Sequence, residues 1–255
     1  VADALALPVL KRGAPEVVAG ADALANPIRW AHAGEVPNLP SLLRGGELVL
    51  TTGIPFGNDG RALRRFAAEL AERGVAGLVL ELGPVYAEAP EPLVQAAGEH
   101  QLPLVVLHRE VAFVEVTEAV NHELLDRRLE DNRRLQDLVQ RFERLMLDGA
   151  GVPELLGVLA GELRNPIVLQ REDGELLFHA VHRSDSHAVL TGWDDLKRGL
   201  PTAPEAVVAP LPEGREIQGG SLVMLVVDSP VDPISRTALE RAAVVVALVT
   251  RRSRH

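Results

Sequence analysis

The chain has 255 residues, 47% apolar, 24% charged and only 3% aromatic, so its cores must be built from Leu, Val and Ala. That length accommodates one large domain or two ordinary ones. The lack of cysteine excludes a disulfide framework and a thiolate nucleophile, and a net charge of −10 spread along the sequence offers no basic face for gripping DNA phosphates.

A short helix is expected over residues 1–7, followed by strand-like EVVAG (16–20) and IRWAHA (28–33). PSLLRGG (40–46) reads as a helical turn stopped by Gly45 and Gly46. ELVLTTG (47–53) is a strand, and DGRALRRFAAELAERG (59–74) a helix with Leu63, Phe66, Ala67 and Leu70 at i, i+3, i+4, i+7. VAGLVLELG (75–83) and LPLVVLH (102–108) are continuous apolar strands flanking a helix that starts at a proline, PEPLVQAAGEHQ (90–101). Apolar strands alternating with amphipathic helices predict a parallel sheet covered on both faces.

Residues 112–148 contain no Gly or Pro and dense charge, which predicts one long helix of about 55 Å at 1.5 Å per residue. Leu135, Leu138, Phe142 and Leu145 follow a 3-4-3 spacing, the pattern of a dimerisation seam, although two heptads also suit a helix packed on its own domain. Beyond it, a helix begins at Pro153, PIVLQ and ELLFHAV form a hairpin through Asp173-Gly174, and residues 184–204 read as polar and irregular around Trp193. AVVAPL and GGSLVMLVV are strands, and a final helix has Asp232 at its N-cap and Pro233 at N1. The expected architecture is an α/β domain with a parallel sheet (1–111), a connecting helix (112–148) and a smaller α+β domain (149–255).

The run RWAHAGEVPNLPSLLRGGELVLTTG (29–53), with GVAGLVLELG and LPLVVLHREVAFVEVTEAVN, resembles the N-terminal domain of PucR-type bacterial transcription regulators, named for purine catabolism control. The resemblance covers roughly residues 1–125, and the second domain is similar to GAF-type small-molecule-binding domains. It implies a regulator in which a metabolite, a purine catabolite by the family's name, biases a homodimer or higher homo-oligomer. It also implies that DNA is read by a C-terminal helix-turn-helix module, which is not among these residues.

Ligands of open parallel sheets bind beyond the carboxyl ends of the strands. Those ends deliver His32 and Glu35, then Thr51 and Thr52, then Glu81, then His108 and Arg109, a rim suited to a small polar heterocycle or carboxylate. In the second domain Phe178, His179 and Trp193 are the ligand candidates. Polar residues gather at strand ends in any case, so structural duty for the whole rim is the competing reading.

No catalytic residues, cofactor or metal are expected. His32, Glu35, His108 and Glu110 would make a metal set only if their strands adjoined, and they lack HxxxH or HExxH spacing. Ser41 has no nucleophile elbow, and GGELVLTTG lacks the ending of a phosphate loop. A scaffold that binds no metabolite is the alternative function, and a metal-dependent α/β enzyme the third. No apolar run is long enough to span a bilayer, and the first residues carry their charges after the apolar stretch, opposite to a secretory signal. A cytoplasmic location without a membrane partner is therefore expected.

Overall fold

The computed structural model describes residues 1–212 and 220–252. They form two compact units, Val1–Arg128 and the residues from Leu129 onward.

The first unit opens with helices α1 (Ala2–Leu5) and α2 (Pro8–Arg12). Strands β1 (Pro15–Ala19) and β2 (Trp30–Ala33) follow, then α3 (Leu39–Leu42) and β3 (Glu47–Thr51). Helix α4 (Gly60–Glu72), β4 (Gly77–Glu81), α5 (Glu91–Glu99) and β5 (Leu104–Leu107) complete the sheet. Its order is β1-β5-β4-β3-β2. Strands β2 to β5 are parallel, as expected, whereas β1 runs antiparallel against β5, with Pro15 opposite Leu107. β1 is a partly exposed edge strand, and a strand's direction leaves no mark in its composition.

The apolar runs in β3, β4 and β5 arise because both faces of these strands are covered. Val49, Leu78, Leu80, Leu104 and Val106 point to one face, packed with Leu39, Phe66, Leu70 and Leu93 from α3, α4 and α5. Leu48, Leu50, Val79, Val105 and Leu107 alternate to the other, packed with Ala4, Leu10, Val116 and Val120. The sequential order of β2 to β5 explains this division. Crossovers of one hand that step steadily across a sheet put every connecting helix on the same face. The opposite face must be covered by segments outside the crossovers: α1, α2 and the first turns of α6 (Phe113–Leu147).

Helix α6 starts in the first unit and ends in the second. There it is followed by α7 (Val152–Leu163), β6 (Ile167–Arg171), β7 (Leu176–Ala180), α8 (Ser186–Arg198), β8 (Ala206–Pro210), β9 (Gly220–Leu225) and α9 (Ser235–Arg252). The sheet is antiparallel throughout, in the order β7-β6-β9-β8. Ile167, Leu169, Leu222 and Met224 pack with α7, α9 and the end of α6.

Residues 184–204 are not irregular. They contain α8, which covers the other face of this sheet through Val189, Trp193 and Leu196, set against Val168, Val223 and Leu225. Asp185 caps it by accepting from the Ala188 N–H at 2.8 Å, and Gly199 closes it in a left-handed conformation. The anchors are only three, at i, i+4 and i+7 among polar residues, a stripe too thin to stand out in the sequence. Helix α9 begins at Ser235; Asp232 and Pro233 form the turn before it, with the Asp232 carboxylate accepting from the Ile234 N–H at 3.1 Å.

Candidate functional site

The carboxyl ends of β2 to β5 share one edge of the parallel sheet, and most of the predicted rim residues there are bonded to one another or to nearby backbone. Glu35, just past β2, accepts from the Thr51 hydroxyl at 3.0 Å and from the Thr52 N–H. Thr51 is 1% exposed, and its hydroxyl in turn accepts from the Gly53 N–H at 3.0 Å. These bonds staple the ends of β2 and β3 together. The hydroxyl of Thr52 is buried without a hydrogen-bond partner among the described residues.

Strands β4 and β5 form the place where a crevice is expected. The chain leaves β4 toward α5 on one face of the sheet and leaves β5 toward α6 on the other, which makes a topological switch point. Glu81 bridges it: its carboxylate, at the tip of β4, accepts from the Val111 N–H at 3.0 Å. His108 is exposed and contacts Glu16 of the antiparallel edge strand at 2.6 Å. Arg109 is exposed, and its N–H donates to the Gly13 carbonyl at 3.1 Å.

The strand order puts β3 and β4 between β2 and β5, so His32 and His108 are separated by three inter-strand spacings, on the order of 14 Å. Among the described residues no group of three or more His, Asp or Glu is placed to hold a metal ion. His32 instead lines a cavity of ≈ 370 Å³ at the open side of β2, with Trp30 and three arginines that the sequence pattern does not single out.

In the second unit Trp193 belongs to the cluster under α8. Its indole N–H donates to Gln170 Oε1 at 2.9 Å, and Lys197 Nζ sits 4.6 Å from the ring centroid. Phe178 pairs with Leu169 and His179 with Val168. Consecutive strand residues project to opposite faces, so these two candidates do not line one pocket together.

The four residues of the predicted dimerisation seam lie within the second unit. Leu138 and Phe142 are each 1% exposed inside the core of the second unit, and Leu135 and Leu145 pack against the same cluster. The 3-4-3 spacing is real, but α7 and α9 occupy the groove that a second chain would need. The alternative already contained in the sequence, a helix packed on its own domain, accounts for these four residues.

Two polar devices organise the second unit. Fully buried Asn165 accepts from the N–H groups of Val227, Asp228 and Ser229 at 3.0–3.2 Å and donates to the Ser229 carbonyl at 2.8 Å. Arg134 of α6 donates to Asp232 at 2.8 Å and to Glu162 of α7 at 3.2 Å. Burial pushes the Asp232 pKa up, but the bonds from Arg134 and the Ile234 N–H outweigh it and hold the group below the ordinary carboxylate value. At Asp228 burial is likewise outweighed, by bonds from Ser184 and the Arg183 N–H.

Residues 3–124 match the purine catabolism regulatory protein-like family, PucR. The chain is also 21% identical over 200 residues to the purine catabolism regulatory protein of Bacillus subtilis (strain 168), an alignment that takes in 78% of this chain and 36% of that protein. The chain thus spans about a third of the length of the curated relative that it matches.

Proposed function

We propose, from the premise that residues 3–124 are a PucR-type regulatory domain, that the chain is the effector-sensing part of a cytoplasmic transcription regulator. The family match carries this reading. The alignment to the Bacillus subtilis regulator supports extending it to both units, because 200 aligned residues exceed the 128 of the first. In this proposal a small molecule, a purine catabolite by analogy with that relative's name, binds a homodimer in one of two conformations. DNA is engaged by a module outside the described units.

A ligand shifts such an equilibrium only by its differential affinity for the two forms. Helix α6 is the element suited to carry the difference, since its residues are shared between the units. The second unit is proposed as a GAF-like partner domain, with the 112–148 helix as connector. Its proposed ligand contacts divide between the faces of the sheet, His179 and Trp193 on the α8 side and Phe178 on the other.

A second reading, an oligomeric scaffold that binds no metabolite, draws on one observation: Glu35, Thr51 and Glu81 have their bonds satisfied within the protein. Thermal-shift measurement of the chain against purine breakdown products and small carboxylates separates the two. Saturable stabilisation without turnover supports the sensor. A flat response across the panel contradicts it and favours the scaffold.

A further inference from the structure

The cavity beside β2 has a charge that the rest of the molecule does not prepare for. In a chain of net charge −10, its wall gathers Arg29, Arg44, Arg128 and His32. Among the described residues none of the three guanidiniums is paired with a carboxylate. Arg128 donates to the Arg29 carbonyl at 3.3 Å, while Arg29 and Arg44 have no side-chain ion pair among the described residues. The one carboxylate in the wall, Glu47, is already engaged: its two oxygens accept from the N–H groups of Arg44 and Gly45, each at 2.8 Å.

The backbone is shaped to hold this cluster in place. Gly46 has φ +80°, and a Cβ there would lie 2.7 Å from Arg29 Cδ, so the glycine lets the Arg29 stem lie flat across the strand start. Trp30 and His32 are two residues apart on β2 and therefore share a face, and Trp30 is 45% exposed. The outer backbone edge of β2 is occupied at its centre by Asn121 of α6. Its amide accepts from the Ala31 N–H at 2.7 Å and donates to the Ala31 carbonyl at 3.3 Å. That cap opposes strand addition there and leaves the side-chain face of β2 as the part open to a ligand.

We propose that this cavity binds a small flat anion, its carboxylate or phosphate held by Arg29, Arg44 and Arg128 and its ring laid against Trp30. Guanidinium groups stay charged at every physiological pH and present planar forks that match either anion. A volume of ≈ 370 Å³ suits a metabolite-sized molecule. An anion also relieves the mutual repulsion of three unneutralised cations, so occupancy stabilises the fold. The proposal deepens the sensing reading by naming a site and a ligand class. It also gives the ligand a contact on α6, through Arg128.

Isothermal titration of the whole chain tests it, with orotate as the carboxylate probe, AMP as the phosphate probe, and uracil and adenosine as their uncharged counterparts. The expected result is saturable, salt-weakened binding of orotate or AMP, with the uncharged counterpart at least tenfold weaker. Arg44→Ala and Arg29→Gln should each weaken that binding at least tenfold, while Arg61→Ala, on an exposed arginine outside the cavity, leaves it unchanged. Circular dichroism establishes that the variants are folded. Binding of neither anion overturns the proposal, as does binding that both cavity substitutions leave intact. In the latter case the chain still senses an anion elsewhere, so the cavity fails and the sensing reading stands.

Discussion

Gly53 shows how one residue of the 29–53 run is fixed by its surroundings. It lies two residues past β3 with φ +78°, a left-handed conformation, and a Cβ there would fall 2.3 Å from Tyr86 Cε2. Tyr86 is itself 5% exposed, and its hydroxyl donates to the Gly57 carbonyl. Backbone strain and overpacking therefore act together in Gly53→Ala, which is expected to destabilise the first unit by about 2–5 kcal/mol in urea unfolding. An unchanged midpoint would show that the Tyr86 ring moves aside freely. The sequence identifies Gly53 as a turn residue, but the ring that fills its space comes from 33 positions away. The same limit hides Arg29, Arg44 and Arg128: single arginines carry no periodicity, and only the packing of β2, the 42–47 segment and α6 brings them to one cavity.

Helices and strands with a dense apolar face were legible, and those held by a thin stripe were not. Helix α4 and strands β3, β4 and β5 appear where the spacing puts them, because their burial is nearly complete. Helix α8 is not legible in the sequence because it covers a sheet face with three anchors. Helix α6 is the instructive case, since its extent was readable but the destination of its seam was not. An apolar stripe at 3-4-3 spacing is the same whether a second chain or the protein's own α7 and α9 cover it. Leu138→Ala separates these uses. With the residue 1% exposed in the second unit's core, the expected loss is about 2–5 kcal/mol of stability with the mass by light scattering unchanged. A dissociated chain of undiminished thermal stability would instead restore the inter-chain seam.

At the scale of the molecule, acidic side chains set the limits of stability and of partner choice. Asp228 and Asp232 are held below the ordinary carboxylate value of 3.8, so their contribution to folding is complete above that pH and is lost as pH falls through their folded values. Melting temperature should therefore hold level from neutrality down to about pH 5 and drop below about pH 4. Asp232→Asn, which removes the Arg134 ion pair, should make that drop shallower; an acid limb of unchanged steepness would contradict the assignment. The negative charge that the sequence displays also argues that the described units do not themselves grip DNA. In the proposed function, regulation then depends on a bound metabolite being relayed elsewhere. The most direct test of that dependence is to delete the gene encoding the chain and compare transcripts with the parent strain, with and without the small molecule that stabilises the purified protein. A discrete set of transcripts should change on deletion and lose their response to that molecule, whereas identical transcripts under all four conditions would contradict metabolite-relayed regulation.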